Sequence, residues 1–508
     1  MSEDLLQTNS ATGQDVPGRL PTGIKTLDSI LGGGLPANRI YLLEGDPGTG
    51  KTTLALQFLL EGAKQGESVL YVTLSETKEE LEAVAESHGW NLDGIHIHEL
   101  LPADDALKPE SQYTIFHPSE IELNETTSAV LEQVERLEPV RVVFDSLSEM
   151  RLLAGDPLRY RRQILALKQY FIGRRCTVLL LDDKTSQGHD LQLQSIVHGV
   201  IFLEHLAVEY GAARRRLRVV KLRGSRFRGG YHDFNIETGG VEIFPRLVAS
   251  EHRQSFIGGD ASSDITELDA LLGGGLSRGS STLMLGPAGS GKSTLAASFA
   301  VAAAERGEKA SIFIFDEVTD TYVRRAQGIG CDLQKHLDSG VITIQQIDPA
   351  ELSPGEFAHA VISATGEDGA STVVIDSLNG YLNAMPEERF LTIQMHELLT
   401  YLNHRGIVTI LVMAQHGILG STMMSPVDVS YLADTVIMLR YYELEGAVHR
   451  AISVIKKRSG PHEDTIREMS ITTHGIRVGQ PLRGFHGVLT GVPILNSNRR
   501  DEGTDDAA

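Results

Sequence analysis

Residues 45–53 read GDPGTGKTT, and residues 286–294 read GPAGSGKST. Both satisfy G-x-x-x-x-G-K-[ST], and both follow an apolar run and precede a helix-forming stretch. In such a loop the glycines let the backbone turn so that successive N–H groups converge on phosphate oxygens. The helix that follows offers its N-terminus to the same anion. The lysine brings a positive charge to the terminal phosphates, and the next hydroxyl holds Mg²⁺. The first loop assigns these roles to Gly45, Gly48, Thr49, Gly50, Lys51, Thr52 and Thr53. The second assigns them to Gly286, Gly289, Ser290, Gly291, Lys292, Ser293 and Thr294. ATP with Mg²⁺ is the ligand expected at both, and the two loops read as near-interchangeable.

The duplication extends far beyond the loops. TLDSILGGGLP at 26–36 returns as ELDALLGGGLS at 267–277. Lys51 and Lys292 are 241 residues apart, as are Glu76 and Glu317. VRVVFDSLS and STVVIDSLN set Asp145 opposite Asp376, and VVKLRG at 219–224 matches VIKKRS at 454–459. Shared features in one order, at offsets of about 230–240 residues, mark two copies of a single domain. The expected organisation is a polar start at 1–16, a first domain at 17–247, a linker at 248–262, a second domain at 263–495 and a disordered acidic tail at 496–508.

Within each copy, short continuous aliphatic runs such as RIYLLE, SVLYVTL, VRVVFD and CTVLLLDD alternate with longer helical stretches. Strands buried on both faces have this composition, so the fold class is α/β with a mostly parallel sheet flanked by helices. A chain of 508 residues, 41% apolar and 22% charged, has room for several such cores. It contains no apolar run long enough to span a bilayer. Its start lacks the basic and apolar regions of a signal peptide, so a cytoplasmic protein is expected. The two cysteines, Cys176 and Cys331, cannot form a disulfide framework and read as inert thiols.

A formal net charge of −21 disfavours nucleic acid as a partner, unless the basic run at 214–228 overrides the field. His96 and His98, in HIHE, read as an edge strand rather than a metal site, because no third ligand is close in sequence. Asp145 and Asp376 end apolar strands, where a carboxylate orients Mg²⁺ or caps the next turn. Glu76 and Glu317 end the strand that follows the P-loop helix, where a carboxylate activates a nucleophile or sits at a solvated helix start.

Two tandem P-loop domains, each opening on a L-D-x-L/I-L-G-G-G-L segment, resemble the KaiC family of circadian-clock ATPases and autokinases, over roughly residues 17–495. The resemblance implies two RecA-like P-loop NTPase domains and a two-tiered homohexamer with ATP between neighbouring subunits. It also implies an ATPase in the first tier and a serine autokinase in the second. The family pairs two glutamates after the second strand. Here the first copy has Ser75–Glu76 and the second Asp316–Glu317, so the expected catalytic residues are Glu76, Asp316 and Glu317 with Lys51 and Lys292. The family also sends a lysine and an arginine to the neighbour's γ-phosphate, which implies Lys221 and Arg223, then Lys456 and Arg458. The phosphorylation site matches Ser430, and Tyr431 stands where a second hydroxyl residue is expected, reading as an interface or packing aromatic. The stretch QYTIFHPSEIEL at 112–123 makes a KaiB-like protein a candidate partner. KaiA is not expected, because the chain ends 13 residues after Leu495, short of the tail that binds it. A nucleic-acid motor and a nucleotide-gated scaffold without kinase activity are the competing functions.

Overall fold

A computed structural model describes residues 18–100, 118–183, 191–207, 211–383, 390–415, 431–488 and 494–495. Within them the chain forms two compact units, which divide between Arg246 and Leu247 except that Gly211 and Ala212 group with the second. No described helix is long and apolar enough to cross a membrane.

The first unit is built on nine principal strands. They are β1 (Ile40–Gly45), β2 (Val69–Thr73), β3 (His96–Glu99), β4 (Arg141–Asp145), β5 (Thr177–Asp183), β6 (Gly199–Leu206), β7 (Arg214–Leu222), β8 (His232–Glu237) and β9 (Gly240–Phe244). Across the sheet the order is β3-β2-β4-β5-β1-β6-β7-β8-β9. The strands from β3 to β6 pair in parallel, and β7, β8 and β9 extend the sheet antiparallel. The aliphatic runs become the central strands: every residue of β2 and β4 is buried. With both faces covered by helices, such strands have no solvated side to mark with polar residues.

The second unit repeats this plan strand for strand. Its strands are β10 (Ser281–Gly286), β11 (Ala310–Ile314), β12 (Ile342–Gln346), β13 (Thr372–Asp376), β14 (Val408–Ala414), β15 (Thr435–Leu444), β16 (Ala447–Lys457), β17 (Arg467–Thr472) and β18 (Gly475–Pro481). The order β12-β11-β13-β14-β10-β15-β16-β17-β18 is the first order with nine added to each number. In each unit the strand that leads into the P-loop is central.

Helix α1 (Lys51–Lys64) follows the first loop and α2 (Lys292–Glu305) the second. Leu54, Phe58 and Leu59 of α1, and Leu295, Ala296 and Phe299 of α2, are buried against one face of their sheets. Burying a side chain of leucine or phenylalanine size stabilises by about 1.5–3 kcal/mol, so these contacts anchor the helix whose N-terminus meets the phosphates. Gly50 and Gly291 start the two helices at φ +94° and +102°. A Cβ there would approach Ile236 Cδ1 to 2.5 Å and Ile471 Cδ1 to 2.6 Å, on the matching strands β8 and β17. Backbone handedness and lack of space both require glycine.

The 248–262 stretch, read from sequence as a linker, groups with the second unit and makes contacts there. Residues Ala249–His252 form a 3₁₀ turn, and the Ala249 N–H donates to Glu397 Oε2 at 3.0 Å. Asp260–Ala261 pair with Leu276–Ser277 as a short antiparallel ladder. Gly/Ser composition marked irregular backbone there, but not the contacts that fix it.

Candidate nucleotide sites

In each unit the P-loop hangs from the end of the central strand. Thr49 Oγ1 donates to Asp46 O at 2.8 Å, which closes the first loop on itself. Lys51, almost fully buried, donates to Gly45 O at 2.9 Å and Asp46 O at 3.0 Å. Lys292 donates to Pro287 O at 2.8 Å, and burial lowers its pKa to about 8.

The strand-end carboxylates converge on the loop hydroxyls. Thr52 Oγ1 donates to Asp145 Oδ2 at 3.1 Å, although 93 residues separate them. Tyr71 OH donates to the same oxygen at 2.5 Å. Burial raises the Asp145 pKa, against the pull of the Tyr71 and Thr52 hydrogen bonds. In the second unit Ser293 hydrogen-bonds Asp376, whose pKa burial also raises. Asp376 Oδ2 is buried with no hydrogen-bond partner. The second buried phenol comes from a different element: Tyr322, in the helix Thr319–Gln327, donates to Ser293 O at 3.4 Å. Neither tyrosine was singled out by sequence, because Tyr71 reaches Asp145, and Tyr322 the Ser293 carbonyl, only through the fold.

These groups suit Mg²⁺. A hydroxyl beside a carboxylate is a hard-oxygen donor set, and the acceptor left orphaned at Asp376 is a place where a cation would relieve desolvation. The first loop has room for a polyphosphate, since Gly48 faces open space where a Cβ would stand, whereas a Cβ at its counterpart Gly289 would meet the Tyr441 hydroxyl at 2.9 Å.

The glutamates differ between units. Glu76 Oε2 is buried with no hydrogen-bond partner. Its pKa rises to about 7, first because of burial and then because of the charges of Asp145, Glu80 and Asp183. Glu317 instead pairs with Arg325 Nη1 at 2.8 Å, and its neighbour Asp316 accepts a hydrogen bond from Ser377 Oγ.

The loops are not interchangeable in their surroundings. In β5, Asp183 pairs in register with Gly45, and its Oδ1 lies 2.7 Å from Lys51 Nζ. In β14 the residue in register with Gly286 is Ala414. Sequence reasoning missed this contrast. The acidic pair closing CTVLLLDD was the available signal, but that strand meets the loop only through the non-sequential sheet order.

The Lys–Arg pairs lie at the opposite end of each sheet. Leu222, between Lys221 and Arg223, pairs with Gly199 at the start of β6, whereas Gly45 pairs with Leu203 further along it. At about 3.3 Å per residue the separation along the strand is roughly 13 Å. Lys221 donates to Gln194 O, and Arg223 donates to Ser195 O at 2.7 Å. Lys456 pairs with Val436 near the start of β15 and donates to Ala433 O at 2.7 Å, while Arg458 lies 3.6 Å from Asp434. In each unit the P-loop and the Lys–Arg pair thus sit at opposite strand ends.

The basic run is largely strand β7. Arg216 pairs with Glu204 at 2.6 Å and stacks on Tyr231, and Arg218 lies over Phe202. His96–Glu99 forms the edge strand β3, and no group of three or more metal-ligating side chains occurs among the described residues. The Cys176 and Cys331 thiols are buried, and their pKa values are pushed up to about 12 and about 11. Ser430 and residues 112–117 of the candidate partner stretch lie outside the described residues; Tyr431 is exposed.

Comparison with known proteins gives one consistent result. The family model described as "ATPase: KaiC" matches residues 20–248 and again 261–483. The circadian clock oscillator protein KaiC of Acaryochloris marina (strain MBIC 11017) is 27% identical over 480 residues, covering 94% of this chain and 91% of that protein. The circadian clock protein KaiC3 of Synechocystis sp. is 25% identical over 494 residues, covering 95% and 96%. The KaiC of Prochlorococcus marinus (strain MIT 9313) is 26% identical, covering 96% and 98%.

Proposed function

The chain belongs to the KaiC ATPase family through both of its repeats, and from that premise we propose that it is a ring-forming ATPase whose second repeat is also a serine autokinase. The observation that carries the reading is the polarity of the sheets: in the first, the P-loop follows Gly45 at one strand end, and Leu222, between Lys221 and Arg223, sits roughly 13 Å back along β6. A subunit whose distal cations cannot reach its own phosphates is complete only beside a neighbour. We assign a homohexamer on the strength of the family.

The division of labour follows from the residues. Lys51 and Lys292 hold the terminal phosphates, and the loop N–H groups cradle the others. Thr52 with Asp145, and Ser293 with Asp376, would hold Mg²⁺. Once bound, the ion supplies charge compensation for the phosphoryl oxygens. Glu76 accepts a proton from the attacking water. Its unpartnered carboxylate oxygen, buried beside the site, is suited to that role. Lys221 and Arg223, then Lys456 and Arg458, stabilise charge on the neighbour's transferring phosphoryl group. In the second repeat Asp316 and Glu317 serve Ser430 as well as water. The ATP-bound ring then signals by recruiting a protein of KaiB type, in a clock-like or simpler regulatory circuit. Mass spectrometry of the purified chain after incubation with Mg·ATP tests the kinase arm. Phosphate on Ser430 is the expected result, and an unmodified Ser430 at long times leaves an ATPase alone.

The Glu76 environment sets a pH dependence. A base must be ionised to accept a proton, and a pKa of about 7 leaves it protonated in acid. Hydrolysis by the first repeat should therefore rise with pH through about 7 and fall roughly tenfold per unit below it. A steady-state pH profile of a Lys292→Ala chain reads this directly, and a flat profile between pH 5.5 and 8 contradicts the assignment.

A further inference from the structure

The contrast between Asp183 and Ala414 has consequences for binding. Lys51 makes three contacts at its ammonium: Gly45 O, Asp46 O and, at 2.7 Å, Asp183 Oδ1. The Asp183 carboxylate is itself held. Ser148 Oγ lies 3.3 Å from Asp183 Oδ2 and accepts from the Asp183 N–H at 3.2 Å. The lysine is 8% exposed and the aspartate 27%, so water screens the pair only in part. Lys292, in the second repeat, has no carboxylate within ion-pair distance among the described residues. Its register neighbour strand ends in the methyl group of Ala414.

We propose that Asp183 is a positioning residue for Lys51, a resident counter-ion that the terminal phosphates of ATP must displace, so that it weakens nucleotide binding in the first repeat alone. This rests on the reading of both P-loops as ATP sites. The sign does not depend on what Asp183 does when ATP arrives. If the carboxylate keeps its contact, Lys51 offers the phosphates a charge already neutralised in part. If it lets go, the ion pair is lost and an anion remains beside other anions. Either way, removing the carboxylate tightens ATP. The placement also discriminates by phosphate count, because a P-loop lysine serves the terminal phosphates. The effect should be large for ATP and absent for AMP.

The test uses the full-length chain with Mg²⁺ and a fluorescent N-methylanthraniloyl-ATP, with AMP measured by competition. Lys292→Ala isolates the first repeat, and Lys51→Ala isolates the second. In the first background, Asp183→Ala and Asp183→Asn should each tighten ATP about tenfold. Asp183→Glu, which restores the charge, should return the affinity towards that of the parent, and AMP should not respond. In the second background, Ala414→Asp should weaken ATP by a similar factor. Asp183→Asn preserves volume, so its result stands even if the alanine variant folds poorly. ATP affinities within twofold of the parent for both neutral variants would overturn the inference, as would an equal change for AMP. If the parent chains themselves fail to bind ATP while folded, the ATP-site reading falls and takes the inference with it.

Discussion

A Lys51→Ala chain and an Arg223→Ala chain, each nearly inactive in the first repeat when alone, recover hydrolysis when they are mixed. With Lys292→Ala in every chain to silence the second repeat, each single variant should lose about a hundredfold or more. Both lose a cation that stabilises charge on the transferring phosphoryl group. In a random mixed ring, an intact first-repeat site needs a P-loop from the Arg223→Ala chain and distal cations from its Lys51→Ala neighbour. About a quarter of the interfaces meet that condition for an equal mixture of cations acting in trans. The mixture should therefore reach about a quarter of parental turnover, far above either component. Native mass spectrometry shows whether the chains have co-assembled. Mixed assemblies no more active than their components would mean that Arg223 does not act across an interface. The position of Leu222 beside Gly199, at the strand end away from the P-loop, is the reason to expect recovery.

Glu76→Gln carries the second large effect. Loss of a positioned base typically costs 10²–10⁴ in rate, so first-repeat turnover should fall at least about a hundredfold. ATP affinity should stay within about twofold, because Glu76 Oε2 makes no hydrogen bond and holds no loop atom in place. Glu317 starts from a different condition, since Arg325 pairs with it at 2.8 Å. Arg325 is 40% exposed, so the pair itself contributes little to stability. Arg325→Ala should leave folding unchanged and raise second-repeat hydrolysis several-fold by freeing the carboxylate. Pre-steady-state hydrolysis with nucleotide affinity measured in parallel separates these cases. If Glu76→Gln weakens binding as much as it slows turnover, the residue is a ligand rather than a base.

Much of this was legible before any coordinate. The aliphatic runs gave the central strands because β2 and β4 are buried along their whole length. The repeated order of motifs pointed to the correspondence that holds strand by strand. The P-loop is legible because its chemistry is local: loop, lysine and hydroxyl are neighbours in sequence. What escaped is non-local. Tyr71 and Thr52 share one oxygen of Asp145 across 74 and 93 residues. Asp183 meets Lys51 because β5 lies beside β1, although three strands separate them in the chain. Arg325 meets Glu317 from the helix that follows directly, eight residues on, so that pair is local and escaped only because the helix's charged face gives no hint of its partner. Pattern predicts which segments form strands. It does not predict which strand ends meet, and the chemistry is placed at those ends.

The opposed ends of each sheet also give the subunit a direction. If the distal cations act in trans as proposed, such a body would join its copies head to tail, through two different surfaces rather than one self-complementary patch. In an open row, one P-loop and one set of cations always remain unmatched at the termini. Closure matches every pair, so catalytic capacity per chain is greatest when the row becomes a ring. A chain whose donating end is spoiled would still be accepted by one neighbour while leaving the next one incomplete. A minority of such chains would depress a mixed population in proportion to the interfaces they enter.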